Sequence, residues 1–300
     1  MSDSNLSWLS AADTVDQETV ESFGPQYPLI QWVNGNPKAK KAGGVEYTGG
    51  WFINAEQLSS DELLGWESGE LVHDKGGSTL GFFSRDVTIA MIHTRHAWRV
   101  YNGERSVNFA WNQFDAAAQI GRPTGRLQVL CVVRGLEGFG PFVLTMKGST
   151  GQAFAGNRQN EGAIGAFNRL VIRPANALAV KTSANRAKFP WRAFWLTVGP
   201  QRNDKGEPTF TEVGTKPNTS MVTLPAAIGL PEKAAPADLF KLFVGKDNLE
   251  SFNGLYNEAR DWAAAWDVIA PQAAKLETEE PDTDLPEGLA DALQETSVLF

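Results

Sequence analysis

The amino-acid sequence predicts an α+β protein, mainly β with flanking helices, that ends in a C-terminal helix and a disordered acidic tail. Three features point to it. Short runs rich in β-branched and aromatic residues recur between residues 25 and 225, punctuated by Gly, Pro, Asn and Asp. Beyond Pro225, apolar residues step by three and four. The final stretch, 276–300, holds eight acidic residues and no Lys or Arg, a composition that buries too little apolar surface to fold alone.

Residues 1–24 are polar and acidic and read as a flexible N-terminal arm, without the basic start or apolar run of a signal peptide. Residues 25–225 form the β-rich core. YPLIQWV and GGWFI read as strands among the turn signals GNPKAKKAGG, YTGG and HDKGGS. SSDELLGW opens a short helical turn. LGFFSRDVTIAMIHTRHAWRVYN supplies one or two strands. RLQVLCVVRG and GPFVLTMKG, joined by GLEGFG, form a hairpin. GQAFAGNRQNEGAIGAFNRLVI places Phe154, Ile164, Phe167, Leu170 and Val171 at roughly helical spacing, and Pro174 ends that helix. FPWRAFWLTVGPQ returns to strand, with Trp191, Ala193 and Trp195 on one face and Arg192 and Phe194 on the other. NDKGEP turns the chain into a partner strand, TFTEVG, and SMVTLPAA adds another.

Residues 226–270 comprise a Pro/Ala linker, LPEKAAPADL, and an amphipathic helix from about Asp247, packed on the core. Leu249, Phe252, Leu255, Tyr256, Ala259, Trp262 and Trp266 form its single apolar stripe. Residues 271–300 are the disordered acidic tail. The order strands, hairpin, helix, hairpin is that of the five-stranded OB-fold barrel. A highly curved antiparallel sheet, or a generic α+β sheet, accommodates the same order.

Charge is segregated along the chain. Residues 1–84 carry a net charge of −8, residues 85–205 carry +11, and residues 206–300 carry −11. Thirteen of the fourteen arginines lie in the middle block. Such asymmetry speaks about partners rather than fold. No run of 18 apolar residues predicts a membrane helix, and the expected compartment is the cytoplasm. The single cysteine, Cys131, sits in the apolar run LQVLCVV and reads as a buried structural thiol.

Signals for catalysis are poor, so the chain is read as a binding protein, not an enzyme, with no cofactor. It contains no G-x-S-x-G, P-loop or C-x-x-C motif. His93 and His96 have an H-x-x-H spacing, but on a strand that spacing puts the rings on opposite faces.

Signals for single-stranded nucleic acid are better. Such ligands are held by a positive groove for the backbone and aromatic rings for the bases, at about 1–3 kcal/mol per stacked base. HTRHAWRVYNGERSVNFAWNQF places His96, Trp98, Tyr101 and Trp111 among Arg95, Arg99 and Arg105. IGRPTGRL adds Arg122 and Arg126 on a Gly/Pro loop, Lys147 follows the hairpin, and KFPWRAFW adds Trp191, Arg192 and Trp195. The cations are expected to contact phosphates and the aromatic rings to stack on bases.

The ending carries Asp282, Asp284, Glu287, Asp291 and Glu295 before a terminal Leu299-Phe300. It resembles the tails of bacterial and phage single-stranded DNA-binding proteins, which are acidic and end in phenylalanine. Here the acids are more dispersed, and Glu295-Thr-Ser-Val-Leu-Phe replaces a compact acidic run. The resemblance implies a protein that coats single-stranded DNA and recruits replication or recombination proteins through its tail. From charge alone, such a tail competes with nucleic acid for the basic block, and the competition fades with salt. RNA in place of DNA, an oligomeric strand-annealing mediator and a viral assembly protein remain alternatives.

Overall fold

The computed structural model describes residues 27–34, 49–58, 60, 63–72, 78–102, 105–157, 160–182, 188–215 and 218–268. The N-terminal arm and the acidic tail expected from the sequence lie outside the described residues. Ten strands form one mixed sheet. They are β1 (Leu29–Val33), β2 (Gly50–Asn54), β3 (Glu67–Val72), β4 (Ser78–Ser84), β5 (Val87–Asn102), β6 (Arg105–Ala110), β7 (Thr124–Val133), β8 (Phe142–Lys147), β9 (Leu196–Pro200) and β12 (Pro225–Ile228). The order is β12-β9-β5-β7-β8-β1-β2-β4-β3, and β6 pairs with β5. β10 (Thr211–Thr215) and β11 (Asn218–Val222) form a separate hairpin.

The mainly β expectation with flanking helices holds, and β7 and β8 pair antiparallel as the predicted hairpin. A closed five-stranded barrel does not form. β1 lies parallel to β8 and extends the sheet outward through β2, β4 and β3 instead of returning to its start. The curved part is bridged by a side chain rather than a ladder: the Trp51 indole on β2 donates to the Val198 carbonyl on β9 at 2.9 Å.

β5 is the spine. It runs 16 residues; Val87–Ile89 pair with β9, while Ala97–Asn102 pair with β6. Its other edge pairs with β7 from Ile89 to Arg99, with a register shift between Met91 and His93. Opposed residues of antiparallel strands share a face. Thus Ile89, Met91, Cys131, Val129, Leu127, Leu144 and Met146 lie on one face, in the main core. Helices cover that face: α2 (Gly148–Ala155), α3 (Gly162–Phe167) and α4 (Arg173–Thr182), through Phe154, Phe167, Val171 and Ala175. Cys131 is fully buried there, and burial pushes its thiol up.

The opposite face presents Ala90, Leu130, Val132 and Val143 to α6 (Lys246–Glu258) and α7 (Arg260–Val268), which answer with Phe252, Ala259 and Trp262. The helix expected from Asp247 onward is broken at Ala259 into these two. Each large apolar side chain buried in this way contributes about 1.5–3 kcal/mol. The remaining helices are α1 (Phe114–Ile120), after β6, and α5 (Pro236–Leu242), which takes Pro236 from the predicted linker as its first residue.

Three local expectations are corrected. Pro174 does not end a helix. A π-helical segment, Asn168–Ile172, joins α3 to α4, and the Arg173 amide reaches back five residues to the Asn168 carbonyl. The wider turn makes room for a proline that sits in the first turn of α4 and needs no amide partner. WRAFW is not strand: Trp191–Ala193 is a 3₁₀ turn, and β9 starts at Leu196. TFTEVG pairs with β11 rather than with the GPQ strand, which instead pairs with β12. No helix among the described residues is long and apolar enough to cross a membrane.

Candidate nucleic-acid interface

The site lies at the rim where β5 ends, β7 begins and β8 gives way to α2. The register places Ala97, Arg126 and Lys147 in one row across β5, β7 and β8. Arg99 opposes Thr124 one step further along the same face. Arg99, Tyr101, Arg122, Thr124, Arg126 and Lys147 line a single groove of about 510 Å³. Gly148, Ser149 and Thr150 line it too, as do Asn34 and the β10–β11 residues Val213, Ser220 and Val222. Five of the residues singled out from sequence thus meet in one place. Tyr101 is 60% exposed and is the groove's aromatic ring.

The local chemistry of the β8–α2 junction follows from Gly148 and Thr150. Gly148 takes a φ of 53°, the left-handed region that favours glycine. The Thr150 hydroxyl donates to the Lys147 carbonyl at 2.7 Å and accepts from the Lys147 amide at 3.2 Å. This cap turns the first residues of α2, the positive end of its dipole, toward the groove.

Electrostatically the groove is one-signed. No Asp or Glu is among its described lining residues. The Arg126 Nε is buried with no hydrogen-bond partner among the described residues, which costs about 1–3 kcal/mol. Burial, and then repulsion from Arg99, hold the Arg126 guanidinium below its usual value.

Arg95 lies on the same face but at the boundary with the helices. Its guanidinium sits 3.8 Å from the Trp262 ring, donates to the Trp262 carbonyl at 2.8 Å, and donates through Nε to Gln128 at 2.9 Å. Burial pulls its pKa down to about 9, so it stays charged at neutral pH. It serves the docking of α7 and does not line the groove.

The aromatic residues predicted to interleave with these cations are mostly elsewhere. His96 and Trp98 point to the opposite face of β5, opposing Leu127 and Gly125. There Trp98 stacks on Trp111 at 4.2 Å and donates to its carbonyl at 2.8 Å, while Phe114 meets Trp98 edge-on at 4.9 Å. His96 lies 5.2 Å from Trp111, and burial lowers its pKa. Trp111 remains 49% exposed. Arg105 starts β6 opposite Asn102, at the tip of the hairpin.

Trp191 and Arg192 line a second, smaller hollow of about 260 Å³ with Met91, His93 and Tyr256. Arg192 stacks on Tyr256 at 4.0 Å and donates to Asn253 at 2.6 Å; His93 stacks on the same ring and its Nε2 is 2.8 Å from the Tyr256 carbonyl. Trp195 is buried edge-on against Phe252, where no base reaches it. The tail residues Asp282, Asp284, Glu287, Asp291, Glu295, Leu299 and Phe300 lie outside the described residues.

Sequence reasoning missed Thr124, Ser149, Thr150 and the β10–β11 wall. A Gly-Ser-Thr start to a helix signals Ser149 and Thr150; nothing local marks Thr124, Val213 or Ser220, which arrive by tertiary packing. No family model, no curated protein and no solved structure matches this chain.

Proposed function

We propose that the chain binds single-stranded DNA along the rim groove, without catalysis. The observation that carries this reading is the convergence of Arg99, Arg122, Arg126 and Lys147 on one groove with no carboxylate among its described lining residues. A polyanion brings negative charge, which no described lining residue of the groove carries. Tyr101 offers one ring to a base beside those cations. Trp98 and Trp111 serve a strand only where it crosses the rim to the other face. An OB-fold barrel is not required: an open sheet rim with a basic groove meets the same two demands.

The net charge of −11 on residues 206–300 against +11 on residues 85–205 supports a second part of the proposal. The acidic tail competes with the strand for the groove, and its Leu299-Phe300 tip recruits replication or recombination proteins.

Fluorescence anisotropy of a labelled oligo-dT strand across a salt series tests the reading. Four phosphate contacts predict a log-log slope of about −3. Absence of binding at low salt rejects the proposal. Oligo-U in parallel separates DNA from RNA. Deleting residues 276–300 is expected to tighten binding, most strongly at low salt; unchanged affinity rejects tail competition.

A further inference from the structure

We infer that the hollow at Trp191 and Arg192 is a second binding site, which takes a single nucleoside monophosphate. The hollow exists because β5 loses its neighbour on one edge. β9 pairs with β5 over Val87–Ile89, and β6 pairs with it over Ala97–Asn102. Upstream of β9 the chain turns aside: Phe194 bridges Phe243, and the Trp195 amide donates to the Leu242 carbonyl at 2.7 Å. From Ala90 to His96, no described strand takes that edge of β5. At an open edge, alternate residues present backbone N–H and C=O groups outward. Met91–Thr94 thus bring donors and acceptors to a space of about 260 Å³. A base carries donors and acceptors along its own edge, and an edge of backbone groups can match them.

The other walls supply a stacking ring and a cation. Trp191, 36% exposed on its 3₁₀ turn, offers an indole to the base. Arg192 is held in place beforehand. Its Nε donates to Asn253 at 2.6 Å, and its guanidinium sits 4.0 Å from the centre of the Tyr256 ring, on which His93 also stacks. The two terminal amino groups of Arg192 have no hydrogen-bond partner among the described residues. A guanidinium fixed in this way takes a phosphate bidentately. No Asp or Glu is among the described lining residues. The volume lies just below the roughly 300–1,000 Å³ of pockets for drug-sized ligands, so it seats one nucleotide rather than a strand. At about 3.3 Å per strand residue, His93 and Arg99 are about 20 Å apart. Trp262 of α7 covers Arg95 between them, so the hollow and the rim groove are separate sites.

Calorimetric titration of the full chain with dTMP and dAMP tests the site, with thymidine, inorganic phosphate and benzoate as partial ligands. One of the nucleotides is expected to bind about tenfold tighter than any partial ligand. Trp191→Ala, at an exposed position, and Arg192→Gln are each expected to weaken that nucleotide about tenfold, with folding checked by circular dichroism. Arg126→Gln, in the rim groove, is expected to leave it unchanged. Failure of both nucleotides to bind at millimolar concentration overturns the site. Phosphate or benzoate binding as tightly as a nucleotide also overturns it, because the base then contributes nothing. Affinity that survives Trp191→Ala, or that falls in Arg126→Gln, places the nucleotide elsewhere and overturns it too. Strand binding is read separately by oligo-dT, so its failure and the failure of this site are distinguishable.

Discussion

On one face of β5, β7 and β8, Ala90, Leu130, Val132 and Val143 lie under Phe252, Ala259 and Trp262 of α6 and α7. A few rows along the same face, Arg126, Lys147 and Arg99 line an open groove. The strands and the hydrogen-bonding pattern are the same at both ends. Only the side chains differ, and they decide whether a helix covers the sheet. At the covered end, apolar burial makes docking favourable. At the open end, a helix would have to desolvate several like charges, which costs several kcal/mol per unpaired ion. Arg95 marks the boundary. There α7 covers it with the ring face and the carbonyl of Trp262.

The contrast depends on the register shift between Met91 and His93. Counting alternation from Ile89 and Met91, which face the main core, would aim His93, Arg95, Ala97 and Arg99 into that core too. The bulge adds one residue, Ile92, and resets the phase, so the cations share the face of Ala90 and Leu130. Deleting Ile92 should break the comparison most severely. It turns Arg95 and Arg99 toward the core and is expected to abolish cooperative thermal unfolding, as followed by circular dichroism. A variant that still melts cooperatively near the parent Tm refutes this account of the bulge.

Trp262→Ala attacks the covered end alone. The loss is expected at about 3–5 kcal/mol in urea unfolding, from the vacated volume and from an Arg95 stripped of its ring. Oligonucleotide affinity per folded molecule should hold, because Trp262 does not line the groove. A matching loss of affinity would join the two ends into one functional unit.

Arg126→Gln attacks the open end and should move the two properties in opposite directions. It removes a buried nitrogen without an acceptor and the repulsion from Arg99. The unliganded protein is expected to gain about 1 kcal/mol, while strand affinity falls. A loss of stability would show that Arg126 is a structural residue.

The smallest effect concerns pH on the aromatic side of the rim. Burial holds the His96 pKa below its ordinary 6.5. In the unfolded chain the ring takes up a proton near 6.5 and in the fold only at lower pH. The stability from neutral His96 is therefore complete above pH 6.5 and is lost as pH falls below it. Tm should drop between pH 7.5 and pH 5.5, and His96→Asn should flatten part of that drop. An identical pH profile in the variant removes His96 from the effect.

Much of this is legible in the amino-acid sequence. The β-branched runs and the GLEGFG turn marked β7 and β8, and the three- and four-residue stripe marked α6 and α7. Charge counts placed the cations in one block, and Arg99, Tyr101, Arg122, Arg126 and Lys147 do share a groove. Other features were not legible. Trp191–Ala193 has the composition of a strand and forms a 3₁₀ turn, because Trp195 and Val244 hydrogen-bond across to Leu242 and Ala193. Pro174 carries a strong local stop signal, which a π turn absorbs.

The sequence by itself determined which residue types exist in which block: the apolar stripe, the turns, the cluster of arginines and aromatics. Those are properties of composition and short-range period. Only the tertiary structure decided which side of the sheet each residue faces. A strand's side chains alternate, so Trp98 and Arg99 always face opposite ways, and one extra residue at Ile92 decides that Arg99 rather than Trp98 shares the face of Arg126. No local pattern records that residue as extra, because its effect exists only in the pairing of β5 with β7.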